Sequence, residues 1–196
     1  MRDLLRASFT ASLVGGAMLA STAAPAAEKT VLGFELSKWD SDDKLALSDF
    51  AGEIVVLDFF AYWCVPCRKA SAELEGGIQK YYASKQGNPQ GVPVHLLSVN
   101  IEQANPKKTA RFIEEAGLER VVDDTDSRLF RQLGGKGIPF IVVIDGTRAT
   151  REHQDYRVVY ESDGFKGTKP IRKVIDRINP PKPAPENGVI EGATGH

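Results

Sequence analysis

Three apolar runs stand well apart along this chain and set its pattern. Ile54-Val55-Val56-Leu57-Asp58-Phe59-Phe60, the stretch Val92 to Ile101 and Phe140-Ile141-Val142-Val143-Ile144-Asp145 are near-continuous rather than alternating. That is how strands read when both faces of a parallel or mixed sheet are covered. Tyr156 to Tyr160 alternates and belongs nearer an edge; Gly33 to Ser37 predicts a short strand, and residues 45–52 a turn-rich approach. Between these runs the apolar spacing becomes helical. Ala70, Leu74, Ile78 and Tyr82 recur every four residues from a start near Pro66, with Gly76-Gly77 expected to kink that helix. Pro106 fits the first turn of a helix reaching about Ala116, which Gly117 closes. Asp126 to Leu133 predicts a short helix ending at Gly134-Gly135. Lys169 to Ile178 predicts a closing one with Ile171, Val174, Ile175 and Ile178 on its buried stripe. Alternating elements of this kind predict an α/β sandwich: a mixed central sheet, helices on both faces, and a right-handed βαβ unit at the start.

Both ends depart from that pattern. Arg2 and Arg6 precede an uncharged stretch, Ala7 to Ala27, that closes on the small residues Ala24-Pro25-Ala26-Ala27. Residues 1–27 therefore read as a secretory signal peptide, the alternative being an uncleaved anchor. Residues 28–179 form the expected domain. Residues 180–196, opening Pro180-Pro181-Lys182-Pro183-Ala184-Pro185, predict a disordered or polyproline-like Pro/Gly-rich tail. The expected location is periplasmic or otherwise extracytoplasmic. Hydrophobic residues make up 42% and charged residues 26%, so the chain can bury an ordinary core. A net charge of −1 gives no reason to expect nucleic acid as a partner.

The candidate chemistry sits where the first long strand hands over to a helix. Cys64 and Cys67, in Trp63-Cys64-Val65-Pro66-Cys67, are the only cysteines. A loop this short restrains the unfolded chain little, so the pair is a poor staple and a plausible reactive couple in an oxidising compartment. With the helix starting near Pro66, Cys64 lies at its N-terminus, where unpaired N–H groups favour a thiolate. Cys64 is then the expected exposed nucleophile and Cys67, about a turn in, the covered thiol that resolves the mixed disulfide. The alternative is a structural metal knot. Zinc usually takes four ligands, and the chain offers no second C-x-x-C and only His95, His153 and His196, so no metal or cofactor is expected. Asp58 interrupts a run that otherwise reads as buried. An unpaired carboxylate there stays protonated or finds partners; the alternative is a solvated sheet face. His95, alternating within a strand, reads as a satisfied polar residue.

A strand, then Trp-Cys-x-Pro-Cys, then a helix, with Asp58 six residues ahead of Cys64 and Gly137-Ile138-Pro139 downstream, resembles the thioredoxin superfamily. The approach Leu47-Ser48-Asp49-Phe50-Ala51-Gly52 is more narrowly similar to the extracytoplasmic TlpA/ResA-like thiol-disulfide oxidoreductases. The resemblance implies that Asp58 relays a proton to or from Cys67. It implies that Ile138-Pro139 is a cis bond against the disulfide, with the Ile138 backbone pairing an extended substrate, and that Trp63 belongs to the docking surface. Ala70 stands where many of that branch carry a glutamate, three residues after the second cysteine, and Glu73 lies farther along. The implied function is that of a thiol-disulfide oxidoreductase reducing disulfides in other secreted or periplasmic proteins and re-reduced by a membrane electron donor. Two alternatives stay open. One is a thioredoxin-like binding module with an inert disulfide. The other is a thiol reductant for cytochrome c maturation, whose dedicated members carry an acidic residue where this chain has Phe140.

Overall fold

Across the described residues, 28–181 of a computed structural model, eight strands form one mixed sheet in the order β1-β8-β7-β4-β5-β6-β2-β3. In chain order these are β1 (Thr30–Val31), β2 (Glu35–Lys38), β3 (Lys44–Ala46), β4 (Ile54–Phe60), β5 (Val94–Asn100), β6 (Val121–Asp123), β7 (Phe140–Asp145) and β8 (Tyr156–Asp163). β4 lies at the centre, parallel to β5 and antiparallel to β7. The helices are α1 (Val65–Leu74), α2 (Tyr81–Ala83), α3 (Pro106–Ala116), α4 (Arg128–Gln132) and α5 (Thr168–Ile175). Residues 1–27, expected to be a signal peptide, and the tail beyond Pro181 lie outside the described residues.

β4 reads as a continuous apolar run because helices cover it on both sides. Ile54 and Val56 pack with Leu74, Ile78 and Tyr82, and with Ile171 and Ile175 of α5. Val55, Leu57 and Phe59 face the opposite layer, with Leu129 of α4, Leu133 and Tyr156. Each such side chain, fully buried, contributes about 1.5–3 kcal/mol. Asp58 shares its face with Ile54 and Val56, beneath α1.

The predicted α/β sandwich is the fold observed, and α3 and β7 match the predicted limits. Asn105 caps α3 by accepting the Lys108 N–H at 3.1 Å, Pro106 occupies its first turn, and Gly117 ends it at φ 65°. Elsewhere tertiary partners moved the boundaries. β1, β3 and β6 are two or three residues long, too short to show a period, and exist because β8, β2 and β5 offer edges to pair with. The predicted strand over 33–37 begins at Glu35. The short fourth helix begins at Arg128, after a 3-10 turn over Thr125–Ser127. α5 stops at Ile175, where the buried Asn88 side chain donates to the Ile175 carbonyl (2.9 Å) and the Ile178 carbonyl (2.8 Å).

Gly76-Gly77 does not break its helix. The chain passes from α1 into a π-helical run, Glu75–Lys80, and on into α2. A side chain at Gly77 would meet the Thr168 methyl at 2.8 Å, so glycine lets α5 approach the wide turn. The run also aims Gln79 at the sheet. The Ser98 N–H bonds the Arg120 carbonyl at the start of β6, but two residues earlier β6 has not begun. The Leu96 N–H, pointing the same way, donates instead to Gln79 Oε1 at 2.9 Å.

Candidate active site

β4 ends at Phe60, and the Cys64 N–H donates back to the Ala61 carbonyl at 3.0 Å, closing the turn that starts α1. Cys64 is the N-cap residue, and its sulfur accepts the Cys67 N–H at 3.2 Å. Pro66 sits in the first turn, where its missing N–H costs nothing. Cys64 and Cys67 are joined as a disulfide with their Cα atoms 5.3 Å apart. The two positions therefore occupy the helix start, as the spacing predicts.

One expectation is corrected. Cys64 is only 4% exposed, where its place ahead of the helix suggested an open sulfur; Cys67 is fully buried as expected. The disulfide turns inward onto a cluster of Phe60, Phe112, Ala116 and Leu118, with Tyr62 and Ile138 at its margin. The exposed groups are the flanking side chains, Trp63 at 56% and Val65 at 82%. Trp63 is held by its indole N–H, which donates to Glu102 at 3.2 Å. Phe112 stacks on Phe60 with centroids 4.7 Å apart, and the Arg68 guanidinium lies over it at 5.1 Å while pairing with Glu115.

The Ile138-Pro139 peptide is cis. Ile138 packs against the cysteine cluster and stands just outside the β7 ladder, where the Pro139 carbonyl accepts the Gly164 N–H at 2.7 Å.

Asp58 is fully buried, opposite Ser98 on β5 and Ile141 on β7. Neither of its oxygens has a hydrogen-bond partner. Burial pushes its carboxyl up to about 7. The nearby Ser71 hydroxyl opposes that rise from the helix above, without reaching hydrogen-bond geometry.

Sequence reasoning missed Glu75. Ala70 packs into the core, and Glu73 is exposed and pairs with Lys69 at 3.7 Å. Glu75 is 3% exposed, and its Oε1 has no partner. Burial, reinforced by the carboxylates of Glu119 and Asp58, pushes it up to about 7 against the Glu119 amide and Lys80. A signal was available: Cys67, Ser71, Glu75 and Gln79 form a polar stripe of period four beside the apolar one. His95, expected to be a satisfied polar residue, is only partly so: its Nδ1 lies 2.5 Å from Arg120, while its buried Nε2, 2.6 Å from Glu53, makes no hydrogen bond, and burial lowers its pKa.

Solved structures share this architecture. A thiol:disulfide interchange protein of the thioredoxin family from Chlorobium tepidum TLS superposes with a TM-score of 0.59 at 20% identity, covering 78% of this chain and 97% of that one. A secreted thiol-disulfide isomerase from Corynebacterium glutamicum gives 0.59 at 20%, covering 74% and 81%. StoA from Bacillus subtilis gives 0.53 at 16%, covering 73% and 96%. These likenesses establish the thioredoxin-like fold. The AhpC/TSA family model matches residues 27–176, from ahead of the first strand to the end of the last helix, and the chain belongs to that family.

Proposed function

We propose that this protein is an extracytoplasmic thiol-disulfide oxidoreductase that mainly reduces disulfides in other secreted or periplasmic proteins. The observation that carries the reading is the Cys67 N–H donated to the Cys64 sulfur at a helix start, with an unpartnered carboxyl buried in the strand below. A helix N-terminus stabilises negative charge on the first sulfur, which makes it both a nucleophile and a good leaving group. Cys64 thiolate attacks a substrate disulfide. Asp58 then takes the Cys67 proton, and the Cys67 sulfur displaces the second substrate thiolate. Trp63 and the backbone of Ile138 receive the substrate chain, and a membrane dithiol donor restores the reduced pair. Export is supported by the uncharged Ala7–Ala27 stretch. Among the described residues no helix is long and apolar enough to cross a membrane.

One observation favours a second reading, a peptide-binding module with a permanently closed disulfide: the 4% exposure of Cys64. Equilibration of the full chain with glutathione or dithiothreitol separates the two, alongside an insulin-reduction assay. The enzyme reading expects catalysis and a Cys67→Ser variant that traps partners as mixed disulfides. A very negative potential with no catalysis supports the inert module and overturns the enzyme.

A further inference from the structure

Asp58 is sealed from solvent, yet a proton it takes from Cys67 has to leave before the next cycle. Neither of its oxygens has a hydrogen-bond partner, and three further buried oxygens also lack one: the hydroxyls of Ser71 and Ser98, and Oε1 of Glu75. Buried polar groups are normally paired, so each orphan is destabilising. The register and the helix spacing set these residues on one side of the sheet. Ser98 is the β5 residue paired with Asp58, and Ser71 and Glu75 lie successive turns along the helix from Cys67, each turn advancing it by about 5.4 Å.

Glu75 differs from the rest in having one neighbour inside and others at the surface. From the inside, Asp58 on β4 adds its negative charge. From the segment after α3 come the carboxylate and the backbone N–H of Glu119, and from its own helix comes Lys80. Lys80 and Glu119 pair at 3.8 Å, with side chains 61% and 49% exposed.

We propose that Glu75 is a positioning residue through which Asp58 exchanges its proton with solvent, passing the Ser71 hydroxyl. The inference rests on the reading above, in which Asp58 serves Cys67. In the resolving step, the Cys67 S–H bond breaks and its proton goes to an Asp58 oxygen. The Cys67 sulfur then bonds to Cys64, the Cys64–substrate bond breaks, and the substrate sulfur leaves with the electron pair. Two electrons have passed from the protein's dithiol to the substrate disulfide. The proton left on Asp58 moves by way of Ser71 to Glu75 and out beside Lys80. An ionised Glu75 is then the acceptor that carries the proton outward.

The test is the pH profile, from 5 to 9, of insulin reduction by full-length wild type, Glu75→Gln, Asp58→Asn and the double variant. Single turnovers are measured beside steady state. For Glu75→Gln the inference expects steady-state turnover to fall about tenfold, a single ionisation at a lower pH midpoint, and no added effect in the Asp58→Asn background. A Glu75→Gln profile that overlays wild type, with Asp58→Asn altered, overturns this inference alone. So does an equal loss in both backgrounds. An unaltered Asp58→Asn profile overturns the role of Asp58 and this inference with it. Infrared spectra of the wild type, which need no variant to fold, are expected to show two protonated carboxyls titrating together near pH 7; only one would overturn the proposal.

Discussion

The backbone N–H of Cys67 points at the sulfur of Cys64 across 3.2 Å, so each cysteine acts on the other through more than the bond they share. In the dithiol the same amide is available to a Cys64 thiolate, while the Cys67 sulfur stays inside a wholly covered turn. Iodoacetamide at pH 7 is therefore expected to label Cys64 of the reduced protein about tenfold faster than Cys67, read by peptide mass spectrometry. Equal labelling would remove the basis for assigning the nucleophile.

Asp58 makes stability depend on pH. An ordinary aspartate ionises at about 3.9, whereas burial holds this one at about 7. The unfolded chain gives up its proton first, so the contribution is complete below about pH 4 and drains away as the pH rises to about 7. Asp58→Asn, which cannot ionise, is expected to be more stable than wild type at pH 8 by up to about 4 kcal/mol. The gap should close towards pH 4. Urea unfolding at both pH values measures it, and a constant difference would contradict the shifted carboxyl.

Trp63 is half exposed beside the disulfide, so little folding energy depends on it. Trp63→Ala is expected to change stability by less than about 0.5 kcal/mol, yet to raise KM for a protein disulfide about five- to tenfold. A small-molecule disulfide should be affected far less. Parallel loss on both substrates would mean that the indole acts on the sulfurs rather than on docking.

Phe112 has the opposite profile. It is fully buried, stacked on Phe60, and forms part of the wall behind the disulfide. Phe112→Ala is expected to cost about 3–5 kcal/mol, measurable by thermal or urea unfolding. A loss below about 1 kcal/mol would show that the wall relaxes to fill the gap.

The legible parts of this molecule were those in which local chemistry and tertiary demand agree. Asn105, Pro106 and Gly117 bound α3 from within its own sequence, and the apolar run of β7 needs no partner to be recognised. β1 and β6 carry no such mark, because a strand of two or three residues is defined by the edge it meets. At the site, the spacing of Cys64 and Cys67 and the misplaced charge of Asp58 stand out in one dimension. The covering of Cys64 does not, since it depends on Phe112 and Leu118, far along the chain. Glu75 escaped for a related reason. On a surface helix a glutamate every few residues is ordinary, and only the sheet beneath makes this one unusual.

The wide turn at Glu75–Lys80 lets the helix serve two masters separated by a fixed count of residues. Deleting Gly76 and winding the rest as plain α-helix would rotate everything downstream by about 100°. Gln79 would swing off the Leu96 amide, and the Tyr82 hydroxyl off the Asp176 carboxylate it reaches at 2.7 Å. The cysteine end would keep its geometry while the anchoring end lost its grip. Insertions and deletions in this helix are thus constrained by phase rather than by composition.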